Sequence, residues 1–384
     1  MADVAIVSAR RSAVGRRGGS LAKVHPTTLL GAVTLAALDE ACVNPASVGQ
    51  VIGGCIDQVG AQAANVTRMA WLAVGGPIHT PASTVHSACG SSQQAFNLAA
   101  SLVAAGTEDV VVACGVELMS LIPLGSAILD GEAAGHGLPQ SGGYDERYGQ
   151  LDQFAAVEAL ADKYGVRREQ ADEYGLESQR RALIAIEERR FGHQIVPITV
   201  GSSTTAVFDT DEVPRNTDIA TLSALNPVVN GGIHTAGTSS KIADAAAAVV
   251  LMNAERATAE GLTPLARVHS TSFVGCDPQI MLEGPIPVTA DLLKKGGMTI
   301  DDIDIFEVNE AFAAVVLGWQ KVTGADPART NPNGGAIALG HALGSTGCVL
   351  ITKAAHEMSR TGSETALVTM CCGGGLGTGT LLTA

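Results

Sequence analysis

The stretch His86-Ser87-Ala88-Cys89-Gly90-Ser91-Ser92 decides how the chain is read. It opens an apolar segment running to near Ala105, in which Ala95, Phe96, Leu98, Ala99, Leu102 and Val103 recur at helical spacing. Few polar residues interrupt them, which is the pattern of a buried helix. Gly106 stands where a C′ glycine ends such a helix. Cys89 is therefore expected at a helix N-terminus, where unpaired N–H groups and the helix dipole favour a thiolate and lower the thiol pKa. Gly90, Ser91 and Ser92 leave space beside its sulfur. A cysteine that merely packs a core usually lies mid-element among aliphatics. This one starts a helix among small polar residues, and it reads as a nucleophile.

Outward from this stretch, strands and helices alternate. Ala5-Ile6-Val7 is a short strand, followed by a glycine turn and a helix from His25-Pro26 through Leu29 to Ala41. A strand over Val48–Ile56, a helical pattern from Asn65 to Leu72 and a strand at Ser83–Val85 lead into Cys89, and Val110–Cys114 is a buried strand. The alternation implies a mostly parallel sheet covered on both faces. From Ser120 to about Gln150 the pattern dissolves into glycine, proline and isolated charge, an excursion suited to a lid or an oligomer contact. Amphipathic helices follow at Gln153–Tyr164 and Arg168–Arg190, then a proline-marked stretch from Val196 to Pro227 and the small-residue run Gly231–Gly237. Asp244–Met252, mostly Ala and Val, returns to the core. The last third has strands at Arg267–Ser272, Ile303–Val308 and Thr365–Met370, with helices at Ala311–Val322 and from Gly340 to Met358. In the first and last thirds alike, a small-residue loop begins a helix and a Val-rich strand follows. Two similar sandwiches facing each other are expected, with the chemistry in the loops between them.

Composition narrows the function. The 384 residues are 46% hydrophobic, 16% charged and 3% aromatic, with 45 glycines, which describes close-packed α/β structure rather than disorder. A formal net charge of −14 argues against nucleic acid or an anionic membrane as the main partner. Met1–Arg10 lacks the apolar core of a secretory signal, and no run of about 18 apolar residues offers a membrane span. Eight cysteines without CxxC pairs fit a reducing cytoplasm, and no His/Cys cluster has metal-ligand spacing. Gly340–Gly347 lacks the lysine of a P-loop, and the glycines of 373–379 have no βαβ unit after them.

Three further stretches join small residues to reactive ones. In Gly340-His341 the ring can face a cavity, and it reads equally as a helix cap. Asn309-Glu310-Ala311-Phe312 precedes a helix that Asn309 could simply cap. Cys371-Cys372-Gly373-Gly374-Gly375 ends an apolar strand in three glycines whose N–H groups can converge on an anion.

Taken together, in this order and over nearly the whole chain, these motifs resemble the thiolase family. Cys89 in CGSS matches the family's acylated nucleophile, Asn309–Phe312 its NEAF motif, Gly340-His341 with Gly344 and Gly347 its GHPxGxxG motif, and Cys371 with Gly373–Gly375 its CxGGG motif. The resemblance implies two βαβαβαββ halves in a five-layered α-β-α-β-α core. It divides the chain into an N-terminal half over 1–118 completed by about 243–264, an inserted loop domain over 119–242 covering coenzyme A, and a C-terminal half over 265–384. Catalytic roles are implied for Cys89, His341, Cys371, Asn309 and Gly373. The segment around TAGTSSKIAD resembles the family's CoA loop and puts Ser240 at a CoA contact, with Arg215 and Lys241 in the same group. No permanently bound cofactor is implied, only CoA as co-substrate, and a cytoplasmic homodimer or homotetramer.

Three positions depart from the family pattern. Ala342 replaces the proline after the motif histidine, Lys241 stands where many members carry Gly or Gln, and Gln153-Phe154 replaces a His-Met pair of short-chain members. Phe154 offers a large apolar face to an acyl chain, and Met281 is a second candidate wall, with core packing as its alternative. The expected activity is CoA-dependent cleavage of 3-ketoacyl-CoA through an acyl-Cys89 enzyme. The alternatives are acetoacetyl-CoA synthesis and a non-catalytic thiolase-like subunit.

Overall fold

The computed structural model describes residues 2–149, 152–201 and 206–384. Gln150, the end of the irregular stretch, and part of the proline-marked one lie outside these. The first half runs β1 (Val4–Ser12), β2 (Gly15–Arg16), α1 (Pro26–Glu40), β3 (Gln50–Gly54), α2 (Val66–Ala73), β4 (Ala82–Val85), α3 (Ser91–Ala104) and β5 (Val110–Leu118). There follow α4 (Ser126–Ala133), α5 (Gly142–Tyr148), α6 (Gln153–Tyr164), α7 (Arg168–Glu187), β6 (Ile195–Val196), β7 (Ile198–Thr199), β8 (Val207–Phe208) and α8 (Ile219–Ser223). Then β9 (Ala243–Asn253) and α9 (Ala254–Ala259) return to the core. The second half runs β10 (Ala266–Gly275), α10 (Pro285–Gly296), β11 (Ile305–Val308), α11 (Ala313–Thr323), α12 (Ala336–Leu339), α13 (Thr346–Thr361), β12 (Thr365–Cys372) and β13 (Leu376–Thr383).

The long strands form one path, β11-β12-β13-β10-β1-β9-β5-β3-β4. Its two ends repeat each other. β3 pairs parallel with β5, β5 antiparallel with β9 and β9 antiparallel with β1. β11, β12, β13 and β10 have the same order and senses. The halves join where Val4–Ile6 of β1 meets Ala266–Val268 of β10. The sheet is thus mixed rather than mostly parallel. The insertion between β5 and β9, and the tight Gly373–Gly375 turn between β12 and β13, each return the chain antiparallel without a crossover helix.

Alternation along the central strands builds the layers. In β5, Val110, Val112 and Cys114 pack with Leu29, Leu30, Val33 and Leu38 of α1 and Trp71 of α2. Val111 and Ala113 face the other way, toward Ala95, Phe96 and Ala99 of α3 and Ile351 and Ala355 of α13. On the far side Ala366 and Val368 of β12 meet those same helices, while Leu367 turns out with Phe306 toward Val288 of α10 and Trp319 of α11. Five layers result: α1/α2, sheet, α3/α13, sheet, α10/α11. Strands covered on both faces need no polar alternation, which is why β5 and β9 read as unbroken apolar runs. The central helices come close because Gly347 lies on the backbone of Gln93, where any Cβ would overlap it.

The 120–149 segment differs from expectation. It holds two short exposed helices, α4 and α5, rather than irregular chain alone. Their lack of any buried residue explains why no apolar period marks them.

Candidate active site

Cys89 sits in a sharp turn that precedes α3, two residues before its first residue. Ala88 adopts a left-handed backbone (φ +47°), a conformation that costs a non-glycine residue about 1–2 kcal/mol. Hydrogen bonds hold it there. Ser91 Oγ donates to the Ala88 carbonyl (2.6 Å) and accepts from the Ser87 N–H (3.0 Å), while the Ser91 N–H also reaches the Ala88 carbonyl (3.0 Å). Gly90 has no alternative, because a side chain there would run into Cys372 Sγ and Thr378. The thiol pKa moves opposite to the expected direction. Burial pushes the Cys89 thiol up to about 11, although the N–H groups of Gly373 and of Cys89 itself face the sulfur and lower it. The helix end is visible in the sequence, whereas the desolvation comes from the strands and loops that close over it.

His341 was expected at the start of a helix. It instead lies in a loop ahead of α13, separated from it by a tight turn at Leu343–Ser345. It is 4% exposed. Its Nδ1 lies 2.7 Å from Thr346 Oγ1 and its Nε2 3.4 Å from Asn309 Nδ2. The Thr346 hydroxyl spends its single proton on the Ala342 carbonyl at 3.0 Å, so it accepts from Nδ1–H and leaves Nε2 an acceptor, met by a long bond from Asn309 Nδ2. Burial depresses the imidazole pKa to about 4, so the ring is neutral at physiological pH. Asn309 follows β11, fixed by its N–H to the Thr369 carbonyl (3.0 Å), and its Oδ1 is buried with no protein partner. Cys371 ends β12 fully buried, and burial, then the neighbouring Cys89, raises its thiol pKa. Gly374 and Gly375 continue the turn at φ +85° and +78°. Cys89 of the first half thus meets Gly373 and Cys371 of the second, and His341 meets Asn309.

The candidate CoA group is assembled alongside. The Lys241 carbonyl accepts the His341 N–H (2.8 Å), and the Ser240 N–H donates to the Ala311 carbonyl (2.9 Å). Lys241 Nζ turns onto the carbonyls of Ala236 and Ser239, and its pKa falls to about 8 through burial and then the nearby Arg215. Arg215 itself is exposed, with its N–H on Gln179 Oε1 (3.0 Å). Phe154 and Met281 also reach the site. They share one apolar cluster with Phe312, Leu282 and Cys371, and the Phe154 and Phe312 rings meet edge to face at 5.7 Å. Met281 is 4% exposed. It packs as a core residue and lines the Cys371 side at once.

Three supporting groups escaped the sequence reading. Glu117, buried in β5, accepts from Ile56 N–H (2.8 Å), Gln62 Nε2 (2.6 Å) and Gly344 N–H (3.1 Å), and ties the His341 loop to the first half. A lone carboxylate in an otherwise apolar strand was its signal. Glu310 accepts from Tyr174 Oη (2.9 Å), Ser178 Oγ (2.6 Å), Asn331 Nδ2 (3.1 Å) and Ile337 N–H (3.1 Å), anchoring the NEAF turn on α7. Glu158 and His234 form a pair beside Phe312. The histidine stood out only as an odd member of a small-residue run.

Comparison with known proteins agrees with this geometry. The family model for the thiolase N-terminal domain matches residues 4–255, and that for the thiolase C-terminal domain matches 262–384. A steroid 3-ketoacyl-CoA thiolase, FadA6, of Mycobacterium tuberculosis is 44% identical over 100% of this chain and 94% of its own length. An acetyl-CoA acetyltransferase of Chromobacterium violaceum is 39% identical over 98% of each chain. The crystal structure of the Bacillus anthracis acetyl-CoA acetyltransferase superposes with a TM-score of 0.92 at 36% identity, covering 100% of this chain and 99% of the other. On these matches, and on its five-layered fold, the chain belongs to the thiolase family.

Proposed function

We propose that this thiolase acts in the degradative direction, cleaving medium-chain or bulky 3-ketoacyl-CoAs with CoA to give acetyl-CoA and a shortened acyl-CoA. The observation that carries the reading is the apolar cluster of Phe154, Phe312 and Met281 around Cys371. Burying an acyl chain against it gains roughly 0.8 kcal/mol per methylene, so several methylenes make a clear preference. The name of the 44% identical relative, a steroid 3-ketoacyl-CoA thiolase, favours a bulky acyl group.

Each residue then has a chemical task. A thiol with a pKa of about 11 is ionised in only about one molecule in ten thousand at pH 7. Cys89 therefore attacks the 3-keto carbon as His341 Nε2 takes its proton, rather than as a preformed thiolate. N–H groups of Cys89 and Gly373 receive the oxyanion, where losing one donor costs about 3 kcal/mol. The C2–C3 bond breaks, and Cys371, kept protonated by burial, delivers its proton to the acetyl-CoA enolate. His341 and a water on the free Oδ1 of Asn309 stabilise the enolate oxygen. CoA thiol then gives its proton to the Cys371 thiolate and attacks the acyl carbon, and the departing Cys89 sulfur recovers its proton from His341.

Ser240, Arg215 and Lys241 bind CoA in this scheme. Two neighbouring cations repel each other, and an anionic phosphate between them relieves that cost. The 119–242 insertion covers the CoA, between halves at 1–118 (with 243–264) and 265–384. No helix among the described residues is long and apolar enough to cross a membrane. The enzyme is read as a cytoplasmic homodimer or homotetramer. The edge strand β4 and the nearby exposed Met69, Leu72 and Ile78 favour self-association.

The test has two parts. Incubation with acetyl-CoA, acid quench and peptide mapping should place the acetyl group on Cys89. Thiolysis kcat/KM at fixed CoA should rise from acetoacetyl-CoA to longer or ring-bearing 3-ketoacyl-CoAs. If acetoacetyl-CoA is cleaved best by tenfold or more, the acetoacetyl-CoA-forming reading, favoured by the names of the 39% identical relatives, takes its place.

A further inference from the structure

The Glu158–His234 pair makes no hydrogen bond to Cys89, His341, Asn309 or Cys371, yet it is built with care. Glu158 lies one helical turn after Phe154 on α6. Its Oε2 accepts the Ile233 N–H (2.9 Å), and its Oε1 accepts both the His234 N–H (3.1 Å) and His234 Nδ1 (3.0 Å). Gly232 permits this approach, since a Cβ there would stand 2.6 Å from Oε1. His234 Nε2 accepts the Ala314 N–H at 3.4 Å, one of the free donors at the start of α11. With Nε2 an acceptor, the ring proton sits on Nδ1 and is donated to Glu158. The imidazole is held at both nitrogens, with its side chain 1% exposed and that of Glu158 18% exposed. Its ring meets Phe312 edge to face at 5.5 Å, and Phe312 meets Phe154 in the same manner at 5.7 Å.

These contacts close a circuit. α6 carries both Phe154 and Glu158, the 231–237 loop carries His234, and the start of α11 follows Phe312. An apolar side chain at 234 would fill the same volume without tying the three segments together. Hydrogen bonds to an ionised carboxylate are strong and directional, and removing Glu158 would leave His234 buried with its Nδ1–H unpaired. Such a bond is costly to build into an apolar cluster, and its return here is the fixed placement of two aromatic rings.

We propose that Glu158 and His234 are the positioning residues of the acyl pocket: by locking Phe312 and Phe154 edge to face, they decide which 3-ketoacyl chains the enzyme accepts. This rests on the reading of the Phe154–Phe312–Met281 cluster as the acyl pocket. The chemical steps at Cys89 and Cys371 do not run through the pair.

The experiment compares wild type with Glu158→Gln, Glu158→Ala and His234→Phe. Thiolysis is measured for acetoacetyl-CoA, 3-ketodecanoyl-CoA and a ring-bearing 3-ketoacyl-CoA, alongside the rate at which acetyl-CoA acetylates Cys89. His234→Phe keeps an aromatic ring against Phe312 and deletes the tie. The ratio of kcat/KM between the longest and shortest substrate should move tenfold or more, mainly through KM, while acetylation of Cys89 changes much less. Glu158→Gln, which keeps one acceptor oxygen, should move the ratio in the same direction by less than Glu158→Ala. A smaller change in the ratio for folded His234→Phe, or an equal loss of kcat across the whole series, overturns the proposal. Should His234→Phe not fold, the Glu158 variants decide by the same ratio. A wild-type preference for acetoacetyl-CoA would overturn the broad-pocket reading, and the ratio in the variants would still report on the pair.

Discussion

Thr346→Val tests the most specific claim about the catalytic machinery, that one hydroxyl selects the tautomer of His341. Valine matches threonine in shape, and at the first residue of α13 it removes little besides the oxygen. The lost contacts are the 2.7 Å bond between Thr346 Oγ1 and His341 Nδ1 and the hydroxyl's own 3.0 Å bond to the Ala342 carbonyl, of which the first touches the ring. Stranding a buried N–H costs about 1–3 kcal/mol. The imidazole escapes that cost by carrying its proton on Nε2 instead, which removes the lone pair that must accept from Cys89. Populating the competent tautomer then costs the same about 1–3 kcal/mol, or about 5- to 150-fold in the acylation rate. Because the ring is already neutral, with a pKa of about 4, the loss should be the same at pH 7 and pH 8. Rapid-quench mass spectrometry of acetyl-Cys89 measures the rate directly, and Thr346→Ser should restore it to within about threefold. An acylation rate in Thr346→Val within twofold of wild type, in a variant that melts normally, would refute the tautomer argument.

Cys371→Ala should separate the half-reactions, still forming acetyl-Cys89 but losing the exchange of acetyl-CoA methyl protons with solvent. Proton NMR in D2O reads that exchange, and undiminished exchange would remove Cys371 from its role. Acylation should hold down to about pH 5 and fall below pH 4 as His341 takes up a proton. The same shift has a stability consequence. A folded pKa below the ordinary value of about 6.5 favours the neutral ring, so the contribution is complete above pH 6.5 and is lost as pH falls toward 4. Melting temperatures across that window check it against His341→Asn, whose acid loss should be smaller. Ala342→Pro should raise stability by about 0.4–1 kcal/mol, since Ala342 already has φ −76°, and calorimetry would show it as a higher Tm. A lower Tm would mean that the ring collides with the walls of the small cavity that Ala342 lines.

Much of this molecule was legible in its sequence because its layers write themselves locally. β5 and β9 are apolar runs, α3 has its helical period and its stop at Gly106, and the four motifs fall at element ends. What escaped was whatever depends on distant neighbours. Glu117 meets Gly344 across more than two hundred residues, and Glu158 meets His234 across 76, with all of α7 between them. The direction of the Cys89 shift was misjudged for the same reason. A helix start is a local property, while desolvation depends on whatever the folded chain packs around the thiol. The exposed α4 and α5 bury nothing, and their segment gave no period to read.

The placement of β1 also bears on how the chain is made. β1, made before the other strands of this chain, lies between β9 and β10, bonded to both. Neither partner exists until residues 243–268 have been synthesised. At ordinary rates of translation that interval is roughly 10 to 50 seconds. Through it, a nine-residue strand with almost no exposed position must be kept from pairing with anything else. Pairings this remote in sequence are slow to form and open to mispairing. The nascent enzyme should therefore depend on a holding chaperone until residue 268 has emerged. A tag or truncation at the N-terminus should depress the yield of folded protein far more than one at the exposed α4–α5 segment.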